Sequence, residues 1–258
     1  MDLIADDTGA VPAAAVVWHE LECGRYSADM ELWRELAAAA RERDPAAKIL
    51  DVGAGSGRVT LALTREGHAV TALDLDRLLL DALERRAAAE HLGVTAVCAD
   101  ARDFTLDSAG FGLCVIPMQT IQLLGGSDGR LAFLRRARAH LSAGATLACA
   151  IVTELEPFDI RPGQPAPTPE VLSTSAARYS SQATAVRVNR RHIRIERLRT
   201  IATPDAHTSS EHNAIELDRV SAVQLAAEGH RAGFALQGVR EIPATDEHVG
   251  SEVVMLSA

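Results

Sequence analysis

Aromatic side chains are scarce in this sequence, at 3% of 258 residues. Any core must therefore be assembled from Ala, Leu, Val and Ile. Positive charge is short as well: 26 Lys and Arg against 35 Asp and Glu leave a formal net charge of −9. That balance excludes the broad basic footprint of a general nucleic-acid binder, and no nucleic-acid partner is expected. No apolar run is long enough to span a bilayer, so no membrane partner is expected either. The acidic opening M-D-L-I-A-D-D lacks the positive start of a secretory signal. Cysteine is limited to Cys23, Cys98, Cys114 and Cys149, with no C-x-x-C spacing. Reduced thiols in a cytoplasmic protein are the expectation, with no metal site.

What is present is an alternation of apolar strands and amphipathic helices. Strands are expected over 48–52, 69–73, 94–99, 111–116 and 145–152, with helices over 56–66, 76–91 and the S-D-G-R-L-A-F-L-R-R-A-R-A-H-L run between them. This order predicts a parallel sheet with helices on both faces and right-handed crossovers. A helix over 219–232 and strands over 234–242 and 252–256 complete it. The loop joining those two strands is too short for a crossover helix, so the last strand must run antiparallel.

The organising stretch is K-I-L-D-V-G-A-G-S-G-R-V-T-L-A-L, residues 48–63. A strand ending at Asp51 enters a turn with Gly53, Gly55 and Gly57 and then a helix. Glycine lets the main chain approach a ligand closely, and the helix start presents free N–H groups. The next two strands end at Asp74 and Asp100. A strand-end acid about 20 residues after the glycines is where ribose hydroxyls are held in nucleoside sites. A nicotinamide site would prefer G-x-G-x-x-G, whereas this chain offers G-A-G-S-G-R.

D-V-G-A-G-S-G, then L-D-L-D, then A-D-A-R-D-F resembles the class I S-adenosylmethionine-dependent methyltransferases of small-molecule type. The resemblance implies a Rossmann-like α/β sheet of seven strands, the last antiparallel, with S-adenosyl-L-methionine as cofactor. It puts Gly53, Ala54 and Gly55 against that cofactor, with Asp51 near its methionine end. Asp74 then holds the ribose, Leu75 lines the adenine, and Asp100 with the Ala101 backbone reads the adenine edge. The implied activity is methyl transfer to an O or N nucleophile of a small molecule by in-line displacement. Cofactor binding without transfer and an NAD-dependent dehydrogenase are the alternatives.

Residues 1–47 are expected as a disordered tail (1–14) and a helical lid, with Ser27 capping its second helix and Trp18 and Trp33 as packing residues. In the family such a lid often brings a tyrosine to the methionine moiety, here Tyr26. The core is expected over 48–156 and 218–258. The P-M-Q-T-I-Q loop after the fourth strand makes Pro117, Met118 and Gln122 candidates for the cofactor and Gln119 for the substrate. Many relatives carry histidine where Gln122 stands. Arg58 is expected at solvent, and Asp103 as a cap.

Five of ten prolines crowd into 157–169, which excludes regular structure there. Beyond them A-V-R-V-N-R-R-H-I-R-I-E-R-L alternates with period two around a turn at 189–191, a hairpin with one dry face. A further strand, E-H-N-A-I-E-L, puts Glu211 and Asn213 on the side of Ile215 and Leu217; if that side faces the core, both are substrate candidates. Residues 157–217 thus read as an antiparallel β insertion of three or so strands, over the active site or at a homodimer interface. A base is needed only when the acceptor arrives protonated; His19, His207 and His248 are the candidates.

Overall fold

The computed structural model describes residues 13–161, 163, 166–245 and 248–258. The expectation of a disordered tail falls largely on residues 1–12, and Pro162, Pro165 and Asp246 also lie outside the described residues. The chain divides into two compact units. One comprises the residues up to Arg25 together with Glu154–Leu217, the other Tyr26–Thr153 together with Asp218–Ala258.

The larger unit is built on strands β1 (Lys48–Val52), β2 (Ala69–Asp74), β3 (Val94–Cys98), β4 (Phe111–Ile116), β5 (Leu141–Ile151), β11 (Ala235–Ile242) and β12 (Ser251–Ser257). They form one sheet in the order β11-β12-β5-β4-β1-β2-β3. Pairings from β5 through β4, β1 and β2 to β3 are parallel, while β12 runs antiparallel to both β5 and β11. The strand reversed at the end of the chain is therefore β12, as the short connecting loop requires.

Alternation along each strand sorts the core onto two faces. Leu50, Val52, Cys114, Ile116, Leu147 and Cys149 pack with Phe133, Leu134 and Leu225, which come from α5 (Gly126–His140) and α6 (Ala222–Arg231). Their neighbours Ile49, Leu113, Val115, Ala148 and Ala150 pack with Trp33, Ala37, Val59 and Leu63 from α2 (Met30–Arg43) and α3 (Arg58–Arg65). Strands buried on both faces explain the near-continuous apolar runs in the sequence. The crossover between β2 and β3, α4 (Arg77–Ala89), is capped by Asp76, whose carboxylate accepts from Leu78 N–H at 2.9 Å. Helix α6 starts with a capping box between Ser221 and Gln224.

Two local expectations are corrected. Helix α2 begins at Met30 with Asp29, not Ser27, at its N-cap, and the Asp29 carboxylate makes no cap bond because it is taken by Trp33 Nε1 at 2.7 Å and by Arg58. Asp103 caps nothing: its carboxylate pairs with Arg136, and the turn is closed by Asp100 accepting from Arg102 N–H.

The smaller unit holds α1 (Ala14–His19), a π-helical turn over Glu20–Gly24, and strands β6 (Phe158–Asp159), β7 (Glu170–Ser173), β8 (Arg178–Val188), β9 (His192–Ala202) and β10 (Thr208–Asp218). Its sheet runs β10-β9-β8-β6, with β7 also paired to β8. Among the described residues five strands stand where the sequence suggested three or so; β6 and β7 are too short to show an alternation, and β6 falls within the proline-rich stretch expected to lack regular structure. The hairpin turn is at Asn189, whose side chain accepts from Arg191 and His192 N–H, and Val186 and Ile193 are buried together as predicted. Within this unit α1 packs Val17 and Trp18 against Leu172 and Tyr179. Glu22 accepts from Ser181 Oγ at 2.8 Å and from Arg199 Nε and Nη2 at 2.8 and 2.7 Å.

Candidate active site at the carboxyl edge of the sheet

The loops that follow β1, β2, β3 and β4 share the carboxyl edge of the parallel strands, and the sequence-predicted cofactor residues other than Tyr26 lie on them or at the ends of those strands. Gly53 takes a positive φ of 73°, and its N–H and that of Ala54 both donate to Leu73 O. A Cβ on Gly53 would stand 2.5 Å from the Thr120 side chain, so this turn is pressed against the loop that follows β4. Gly57 has φ 99°, and a Cβ there would meet Leu83 of α4 at 2.8 Å. Its role is close packing of α3 and α4.

Asp74 is held across the gap between two loops. One carboxylate oxygen accepts from Gly55 N–H at 2.8 Å and the other from Asp76 N–H at 2.9 Å. Each oxygen keeps a further lone pair. Leu75 beside it is 69% exposed, a large apolar side chain left open next to a fixed acid. Ala101 is buried, and Asp100 is engaged by Arg102 through the guanidinium and the backbone N–H. Those contacts hold Asp100 below the usual carboxylate range.

Asp51 is fully buried on β1. Its Oδ2 accepts from Thr60 Oγ1 of α3 at 2.6 Å, while Oδ1 is buried with no hydrogen-bond partner. Desolvation raises its pKa to about 6; the Thr60 hydroxyl and the Arg58 charge pull the other way, and Asp74 adds to the rise. A buried carboxylate with one free oxygen is suited to a cationic or donor group.

Tyr26 is buried, with its ring tilted against His248 at 4.9 Å and the Arg58 guanidinium 5.3 Å from its centroid. Burial and the nearby Asp29 carboxylate raise its phenol above the ordinary value. Arg58 is not at solvent, contrary to expectation. It clasps Asp29 with both terminal nitrogens, at 2.5 and 2.7 Å, and donates to Tyr26 O at 2.9 Å. An arginine next to the glycine turn thereby fixes the start of α2 over the start of α3.

On the loop after β4, Pro117 is buried, Met118 has φ 55°, and Gln119 is half-buried at the head of a 3₁₀ turn, Thr120–Leu123. Gln122, expected at the cofactor, is spent elsewhere. Its side chain is fully buried, donates to Val152 O and Asp218 O at 3.0 and 2.9 Å, and accepts from Val152 N–H at 2.8 Å. Every hydrogen-bonding position of the amide except one oxygen lone pair is used.

Of the histidine candidates, His248 is the one placed against Tyr26. His19 is half-buried at the end of α1, and His207 is exposed. Both belong to the smaller unit, as do Glu211 and Asn213. The Glu211 side chain is 63% exposed and 3.9 Å from Arg199, whereas Asn213 Oδ1 is buried without a partner. Ile215 is 38% exposed, so this stretch of β10 does not turn a dry face inward as its alternation suggested.

Sequence reasoning missed Thr60, Asp29 and Thr120. One signal for Thr60 was available: Thr60 and Thr64 stand four apart on the face of α3 that also carries the buried Val59 and Leu63.

Residues 49–144 match the family model for a methyltransferase domain. The chain is 35% identical over 96 residues to the cypemycin N-terminal methyltransferase of a Streptomyces species, a stretch covering 37% of this chain and 38% of that protein. The chain thus matches little more than a third of this curated relative's length. Among solved structures it resembles an S-adenosylmethionine-dependent methyltransferase from Clostridium acetobutylicum (TM-score 0.70, 11% identity, 95% of this chain and 97% of that one). It also resembles the sugar N-methyltransferase KedS8 from a Streptoalloteichus species (TM-score 0.69, 17% identity, 95% and 93%). The chain thus shares the fold of S-adenosylmethionine-dependent methyltransferases, and a segment of it matches a methyltransferase domain. Among the described residues, no helix is long and apolar enough to cross a membrane.

Proposed function

We propose that this chain is an S-adenosylmethionine-dependent methyltransferase acting on the nitrogen of a small-molecule amine. The observation that carries the reading is the glycine turn flanked by three strand-end acids, Asp51, Asp74 and Asp100, on one edge of the sheet. The residues present fit that cofactor. Asp51 keeps one buried, partnerless oxygen for a cationic group, and Asp74 is fixed by two backbone donors beside an open Leu75. Nitrogen is favoured over oxygen because two of the relatives named above are N-terminal and sugar N-methyltransferases.

When bound, the cofactor supplies a methyl group on a sulfonium, an excellent leaving group. The chain's task is to bind, align and exclude water. Asp74 takes ribose hydroxyls on its remaining lone pairs, Leu75 covers the adenine, and Asp100 with Ala101 borders its edge. Tyr26, held by Arg58, closes the methionine side. An amine that arrives as ammonium must lose a proton before attack, and His248, against Tyr26, is the base in this reading. Homodimerisation through the smaller unit and cytoplasmic residence belong to the same proposal; sedimentation velocity reads the former.

Calorimetric titration with S-adenosylmethionine, S-adenosylhomocysteine and NAD(H) tests the cofactor, and conversion to S-adenosylhomocysteine with a panel of amino sugars and short peptides tests the acceptor. Micromolar binding of the first two and amine-dependent turnover are expected. Binding of NAD(H) alone overturns the reading, and tight binding with no turnover on any amine or alcohol leaves a cofactor-binding protein without transfer.

A further inference from the structure

Asp51 and Thr60 form a pair that the glycine turn alone does not explain. Thr60 lies wholly buried on α3, and its hydroxyl at 2.6 Å occupies one oxygen of a buried carboxylate while the other has no partner. A buried carboxyl is free to rotate between orientations unless a donor pins it; here the donor comes from a helix whose own position is fixed by Val59 and Leu63 in the core. We infer that Thr60 is a positioning residue: its hydroxyl both orients Asp51, so that Oδ1 is the oxygen left for the ligand, and keeps that carboxyl ionised at neutral pH, so that a proton competes with the cofactor for Oδ1. The inference rests on the methyltransferase reading for the identity of the ligand, but not for the titration of the pair.

The charges facing Asp51 allow such competition. Arg58, on the same helix, favours the carboxylate but is already bound by both oxygens of Asp29. Asp74, across the β1–β2 pairing, disfavours it. From β4 the buried Cys114 thiol sits close enough to feel Asp51, and its own pKa is driven up by burial first and then by its acidic neighbours. Thr60 is thus the hydrogen-bond donor that offsets desolvation, and a pKa of about 6 puts the balance within reach of ordinary buffers.

Two readouts test this on the whole chain. The first needs no cofactor: the Asp51 carboxyl is followed by carbon-13 NMR from pH 4 to 9 in the ligand-free protein, assigned by its loss in Asp51→Asn. It is expected to titrate near 6 in the wild type, about one pH unit higher in Thr60→Val, and as wild type in Thr60→Ser, which restores the hydroxyl. The second is calorimetric affinity for S-adenosylhomocysteine from pH 5 to 8. Wild-type affinity should fall about tenfold per pH unit below the titration. Thr60→Val should bind about fivefold more weakly than wild type at pH 6, yet nearly as well as wild type at pH 8. A uniform loss at every pH, or an Asp51 titration unmoved by Thr60→Val, overturns the inference and leaves the methyltransferase reading intact. Failure of S-adenosylhomocysteine to bind at any pH overturns both.

Discussion

At the scale of single residues, the strand-end acids carry different loads, and two substitutions separate them. Asp74 is a partly buried acceptor already fixed by Gly55 and Asp76. Asp74→Ala should weaken S-adenosylhomocysteine binding by about 2–3 kcal/mol, read by calorimetry, because ribose donors lose a charged acceptor. Asp51 acts on stability as well. Its folded pKa of about 6 lies above the ordinary 3.8, so the folded state holds this proton more tightly than the unfolded chain. The contribution is therefore fully favourable below about 4 and lost as pH rises through 6, a change of roughly 3 kcal/mol. Asp51→Asn should accordingly stabilise the ligand-free protein by up to about that amount at pH 8 and by nothing at pH 4, in thermal unfolding at the two pH values. The acids were legible in the sequence because each stands at the end of an apolar run. Arg58 was not, because its partner Asp29 lies 29 positions back on a different helix.

At the scale of elements, the alternation of strands and helices and the reversal of β12 followed from periodicity and loop length alone. The connections between elements did not. Gln122 looked like a pocket residue because it sits after β4, but it ties the end of β5, through Val152, to Asp218, 96 positions away, where the chain re-enters the larger unit. Beneath it Arg130, 6% exposed, makes two bonds to Glu228 and one to Asp218, and Asp218 also accepts from Gly126 N–H. Sequence patterning cannot show such a knot, since a polar residue on an apolar helix face reads the same whether it meets water or a partner. Gln122→Leu should cost about 2–4 kcal/mol by leaving Val152 and Asp218 backbone groups buried without partners. Arg130→Met should cost about 3–5 kcal/mol by stranding two buried carboxylates. Urea unfolding checks both, and a loss under about 1 kcal/mol in either would mean that water replaces the missing partner.

For the whole molecule, the partition into two units departs from the sequence reading at one place. Beyond the expected tail, the helices up to residue 47 read as a lid by resemblance to the family. Instead α1 and its π-helical turn belong with the β-rich unit, and Tyr26 onward with the larger one. The tie that decides this is Glu22 with Arg199, 177 positions apart, with side chains 12% and 16% exposed. Burial by itself would raise the Glu22 pKa, but the Arg199 and Ser181 hydrogen bonds and the charges of Arg199 and Arg197 outweigh it, and the carboxyl lies below its ordinary value. A lowered carboxyl stabilises the fold above its unfolded pKa of 4.5 and loses that contribution as pH falls through the folded value. Arg199→Met removes the ion pair and, with the guanidinium, the cation–π contact over the Trp18 ring. It should cost about 2–3 kcal/mol, less than a wholly buried pair, since both groups retain some water. Hydrogen exchange locates the damage. Amides of Val16–Leu21 and of β8 should exchange faster in Arg199→Met, while those of β1 and β4 keep their wild-type rates, because the lost contacts all lie within one unit. Equal acceleration across both units would mean that they unfold as a single cooperative body, and the boundary at Arg25 would then be geometric without being energetic.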